Sequence, residues 1–91
     1  LAGITEEGLF NANLLMVEAE QRMMDVADEV IVAADSSKFG RKALARICGL
    51  DRIHRVVSDD RLAPQWQARL REAGVEVILA AVSEAAVGGD G

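Results

Sequence analysis

Three segments stand at the ends of apolar runs, and the first of them, Asp35-Ser36-Ser37-Lys38, carries the richest chemistry. It offers a lysine point charge, two hydroxyls and a helix N-terminus nearby, a set that suits an anionic group such as a phosphate. Asp35 could hold Lys38 in place or accept hydrogen bonds from sugar hydroxyls. The second segment, Ser58-Asp59-Asp60, puts two carboxylates side by side, as a divalent cation or a general base would need. The third is Ala80 to Ser83. Each has an ordinary alternative. Asp or Ser after a strand is a common turn or N-cap residue, and Lys38 could be a solvated surface lysine. His54 reads as structural or exposed and Cys48 as inert core. No nucleophile elbow, zinc-spaced Cys/His set or P-loop is present, so no metal or cofactor is expected.

The elements that must position these segments follow from periodicity. Gly3 to Asn13 reads as irregular loop leading to a helix capped near Asn11 or Asn13. The helix runs from about Leu14 to Ala27, with Leu15, Met16, Ala19, Met23, Val26 and Ala27 as its apolar stripe and Glu18 and Arg22 at i,i+4 spacing. The Met23-Met24 pair reads as core packing. Val30 to Ala34 is apolar without alternation, which predicts a short strand buried on both faces. A second helix is expected over about Arg41 to Cys48, with Leu44, Ile47 and Cys48 on one side and Gly49 at its C′ position. A second strand follows at Arg55 to Ser58. A third helix runs from about Leu62 to Ala73, with Pro64 in its first turn and Leu62, Trp66, Leu70 and Ala73 inward. The last strand is Val75 to Ala80. Spacings of about 15 to 20 residues between strands suit parallel βαβ crossovers, so the expected fold is α/β with a parallel sheet. Ligands of such sheets gather beyond the carboxyl ends of the strands, where all three segments fall.

Composition narrows the function further. The chain has 91 residues, 51% of them hydrophobic, too apolar for a disordered segment. One small domain burying about 64% of its unfolded surface is the most this length allows. Ten basic against fifteen acidic residues leave a net charge of −5, which disfavours nucleic acid or an anionic membrane as a direct partner. The longest apolar runs are far short of the roughly 20 residues of a membrane helix. A single cysteine excludes an internal disulfide and makes a reducing, cytoplasmic setting the default. The start, Leu1-Ala2-Gly3, has neither the initiator Met nor a signal peptide. Three strands are few for such a sheet, so the chain reads as the C-terminal portion of a larger domain. The glycine-rich end, residues 81–91, is expected to be a flexible tail.

At Asp35-Ser36-Ser37-Lys38-Phe39-Gly40 the sequence resembles the C-terminal sensor domain of the DeoR family of bacterial transcriptional regulators, which carries D-x-S-K-F-G after an apolar strand. Gly3-Ile4 with Gly8, Arg22-Met23-Met24 with Ala27, Gly49-Leu50-Asp51-Arg52-Ile53, Val56-Val57-Ser58-Asp59 and Ala73-Gly74-Val75-Glu76-Val77 resemble further family stretches in the same order. Ser58 stands where the family usually has Thr. The likeness covers about residues 3–80. It implies a three-layer, Rossmann-like fold similar to sugar-phosphate isomerases, without their catalysis. It implies a phosphorylated sugar as effector, with Lys38 at the phosphate or sugar, Asp35, Ser36 and Ser37 shaping the pocket, and Asp59 lining or supporting it. DNA would be bound by a separate N-terminal helix-turn-helix domain. That domain and the family's glycine- and threonine-rich phosphate loop have no counterpart here, so weak or absent effector binding and homo-oligomerisation are expected of this chain alone. Two other functions remain open from the residues: a phosphosugar-isomerase-like enzyme using Asp35, Asp59 or Asp60 as base, and a ligand-free oligomerisation module.

Overall fold

A computed structural model describes residues 1–81. Among the described residues the fold is α/β, with two three-stranded sheets and two α-helices. The first sheet is antiparallel. Strands β1 (Gly3–Thr5) and β2 (Gly8–Asn11) form a hairpin, and β4 (Ala45–Cys48) pairs with the other edge of β2. The second sheet is parallel, in the order β3 (Ile31–Ala33), β5 (Arg55–Asp59), β6 (Glu76–Ala80).

The irregular start expected for residues 3–13 is therefore a hairpin. Its strands are too short to show a period of two. Their pairing depends on Gly8, whose φ of +128° turns the chain, and on the Glu7 N–H, which donates to Thr5 Oγ1 at 3.0 Å. Asn13 caps α1 (Leu14–Val26) as foreseen: its side chain accepts from the N–H groups of Leu15 and Met16.

The helix expected over Arg41–Cys48 is absent. Ala, Leu and Arg are good helix formers, but propensity is worth only tenths of a kcal/mol per residue. The open edge of β2 instead recruits Ala45–Cys48 as a strand and buries Ile47. Gly49 accordingly has φ −81° and precedes a 3-10 turn over Leu50–Arg52 rather than closing a helix. Gly74, by contrast, ends α2 (Pro64–Glu72) at φ +87°, as foreseen. Pro64 sits in the first turn of α2, where a missing N–H costs little. Trp66 is half-buried and packs against Phe39, but Ala73 is exposed.

The core gathers Ile4, Leu9, Val17, Ile47, Leu50, Ile53, Val56, Leu62, Leu70 and Val75 from every layer. Two expectations about burial are overturned. The helix α1 turns Val17 and Met24 inward, not the stripe headed by Leu15. Side-chain amides decide this: Gln21 Nε2 donates to the Ile47 carbonyl at 2.9 Å, and Asn11 Nδ2 donates to Glu20 Oε1 at 3.0 Å. Met24 thus packs as expected, whereas Met23 is exposed. Strand β3 is not buried on both faces, because Ile31 and Ala33 are exposed, as are Ile78 and Ala80 on β6. Among the described residues nothing covers that face of the parallel sheet.

Candidate functional site

The carboxyl ends of β3 and β5 meet at one edge. After β3 the chain makes a single 3-10 turn, Ser36–Lys38, with Asp35 at its N-cap. Asp35 Oδ1 accepts from the Ser37 N–H at 2.9 Å and from the Ser37 hydroxyl, so cap and turn are locked together. The neighbouring strand supplies the second anchor. Asp59 Oδ2 accepts from the Ser36 N–H at 2.8 Å, and Asp59 Oδ1 accepts from the Arg61 N–H at 2.9 Å. One carboxylate thereby ties the turn after β3 to the turn after β5. The Asp60 N–H donates to the Ala80 carbonyl at 3.1 Å, which brings the end of β6 to the same edge. Val82 and Ser83 of the third segment lie outside the described residues, as does the expected tail apart from its first residue, Ala81.

Of the residues expected at the site, Asp35, Ser36, Ser37 and Asp59 are brought together by these bonds. Asp35 and Asp59 also line a shallow, open depression of about 340 Å³ with Ala33, Ala34, Val57 and Ser58. Lys38 is at the far end of the turn, half-buried, and does not line the depression. Its backbone N–H donates to the Asp35 carbonyl at 3.1 Å. Asp59 and Asp60 do not cap the helix that follows, whose N-cap is Ala63.

The electrostatics follow from the hydrogen bonds. The Ser37 hydroxyl and N–H hold the Asp35 carboxyl below the usual carboxylate range, and Lys38 adds to this. The Ser36 N–H does the same for Asp59, helped by the Arg61 N–H and its nearby charge. Both are thus charged at neutral pH and held as hydrogen-bond acceptors. Such an edge can accept hydroxyl groups at Asp35 and Asp59 and present a cation at Lys38.

One participant was missed by sequence reasoning. Arg61 contributes a backbone donor and charge to Asp59, and the signal was a basic residue two places past a strand-ending Asp. Ser58 is buried beneath the depression with its hydroxyl lacking any partner among the described residues. The sequence places it in the Ser58-Asp59-Asp60 segment at this edge, but its burial and its unpartnered hydroxyl are seen only in the fold.

The other polar candidates are structural. His54 Nδ1 accepts the Val30 N–H at 3.0 Å and joins the amino ends of β3 and β5. Cys48 is a half-buried strand residue whose thiol is pushed up by burial, which makes it a poor nucleophile. Among the described residues no group of three His, Cys, Asp or Glu side chains is placed to hold a metal ion. No described helix is long and apolar enough to cross a membrane.

A parallel sheet that collects polar turns at its carboxyl edge defines the class of α/β domains that present ligand groups there. The family model described as the DeoR C-terminal sensor domain matches residues 1–60, and the chain belongs to that family. Over 74 residues it is 39% identical to a protein of Escherichia coli O157:H7 named as an aga operon transcriptional repressor, covering 81% of this chain and 28% of that one. Over 76 residues it is 32% identical to the HTH-type transcriptional regulator UlaR of Shigella dysenteriae serotype 1, covering 84% and 30%. The same holds for UlaR of Escherichia coli K12. The chain therefore spans under a third of the length of these relatives. The family is one of transcriptional regulation, repressors included.

Proposed function

We infer that this chain is the effector-sensing part of a cytoplasmic DeoR-type regulator. A phosphorylated sugar binds at the carboxyl edge of the parallel sheet and governs DNA binding by a separate helix-turn-helix domain. The observation that carries this reading is the Asp59 carboxylate joined to the Ser36 N–H, which docks the Asp35–Lys38 turn on the neighbouring strand. Asp35 and Asp59 accept the ligand's hydroxyl groups. Lys38, whose ammonium makes no ion pair among the described residues, neutralises its phosphate. Ser36 and Ser37 hold the turn's shape. The bound ligand acts by differential affinity for two arrangements of a homo-oligomer. In the longer protein the sheet belongs to a three-layer, Rossmann-like domain akin to sugar-phosphate isomerases.

The reading is that of a sensor rather than an enzyme. A general base works best with a pKa near the working pH, and both carboxylates are shifted downward, away from it. The relatives bear regulators' names.

The test is calorimetry with a panel of sugar phosphates, on this chain and on a longer protein carrying the entire sensor domain. The longer protein is expected to bind at least one, and this chain weakly or not at all. Lys38→Ala in the longer protein is expected to weaken binding ten- to a hundredfold, as the loss of a charge-assisted contact of about 1.5–3 kcal/mol predicts. Unchanged affinity in Lys38→Ala would remove that residue from the site, and a panel without a single binder would remove the sugar phosphate.

A further inference from the structure

We propose that the outward face of α1 is a self-association surface, on which α1 of a second copy of this chain packs antiparallel. This does not depend on the ligand reading. The face is apolar and uncovered among the described residues: Leu15 is 76% exposed, Met23 67% and Val26 85%. It points directly away from Val17 and Met24, the residues by which the helix is fastened to the core.

Spacing gives this face its partner. Leu15, Ala19, Arg22 and Val26 recur at intervals of four, three and four residues, the repeat by which helices pack knobs into holes. Only Arg22 breaks the apolar row, and it decides the orientation. In a parallel pair the two Arg22 side chains would oppose each other. In an antiparallel pair Leu15 meets Val26, and Arg22 lies across the small Ala19 of the other copy, its stem over apolar surface and its guanidinium beside that copy's Glu18. Two-fold symmetry makes that contact twice. Neither Glu18 nor Arg22 is in an ion pair among the described residues, so both charges are available. The same register brings Leu15 of the second copy beside Val26 and Ala27.

The size of the contact sets its strength. A helix of 13 residues is about 20 Å long, and one face of it buries less than the roughly 800 Å² per partner of a standard interface. The dimer is therefore expected to be weak and to form reversibly.

Sedimentation velocity of the 91-residue chain over a concentration series reads this out. The parent chain is expected to pass from monomer to dimer. Glu18→Arg alone puts two arginines against each other, and Arg22→Glu alone two glutamates. Each is expected to weaken the dimer at least tenfold. An equimolar mixture of the two single variants re-forms both attractive contacts in a heterodimer, and the double variant Glu18→Arg/Arg22→Glu does so in a homodimer. All these side chains are exposed, so circular dichroism should show unchanged helix content. Recovery of the dimer in the mixture supports the antiparallel face. A parent chain that stays monomeric throughout overturns the proposal, as does a dimer indifferent to the single substitutions. A mixture that fails to recover overturns the orientation and, with it, the proposal.

Discussion

Gly8→Ala is expected to cost about 3 kcal/mol or more, a large part of the 5–15 kcal/mol that holds a small domain together. Gly8 has φ +128°, a conformation that residues with a side chain rarely adopt. A Cβ there would also stand 1.8 Å from the Cys48 carbonyl oxygen and 2.8 Å from Gly49 Cα. These are backbone atoms and cannot rotate aside. The substitution must therefore push β4 from β2 or reshape the hairpin, and either separates Leu9 and Phe10 from Ile47. Gly74→Ala is the matched control. Gly74 also has positive φ, but nothing lies within 4 Å of its added Cβ, so a loss of about 1 kcal/mol is expected. Urea denaturation of both variants separates the two effects. Similar losses would show that the close approach of Gly8 to Cys48 has no consequence.

Asp59→Ala is expected to do more to the candidate site than any other single change there. It removes the acceptor of the Ser36 and Arg61 N–H groups together, leaving the turn after β3 untied from β5. For a partly exposed pair of charge-assisted bonds a loss of about 1 to 2 kcal/mol follows. Hydrogen-exchange protection should fall first at Ser36 and Arg61. Asp59→Asn keeps one carbonyl acceptor and should lie between parent and Ala. The acid limb gives a second readout. Asp59 and Asp35 both have lowered folded-state pKa values, from the bonds donated by Ser36 to the first and by Ser37 to the second. Their contribution to stability is present above the unfolded carboxylate pKa of about 4 and is lost as pH falls through the folded values. The Asn variant lacks one of these titrations, so its stability should fall less steeply below pH 4. Identical acid slopes in parent and Asn variant would mean that Asp59 is not held as an anion by the turn.

Both predictions concern links between segments distant in the chain, and there the sequence was least legible. Asn13 as cap, Pro64 in a first turn, Gly74 at a helix end and the short apolar runs of β3, β5 and β6 announce themselves locally, because each acts through its own backbone. The 35–40 segment, with its Asp, two Ser and Lys, likewise marked the edge of the sheet and the family. Tertiary contacts decided the remainder. Ala45–Cys48 is a strand because β2 offers it an edge, against a helical preference too weak to resist. Helix α1 has apolar residues on two sides, and composition cannot rank them; Gln21 reaching the Ile47 carbonyl selects Val17 and Met24 for the core. In the same way, residues 35–38 show which groups are present, but only the Ser36 N–H on Asp59 places them against the next strand. Short-range signals are written in propensity and φ, whereas which face is buried and which turns meet depends on partners more than twenty residues away.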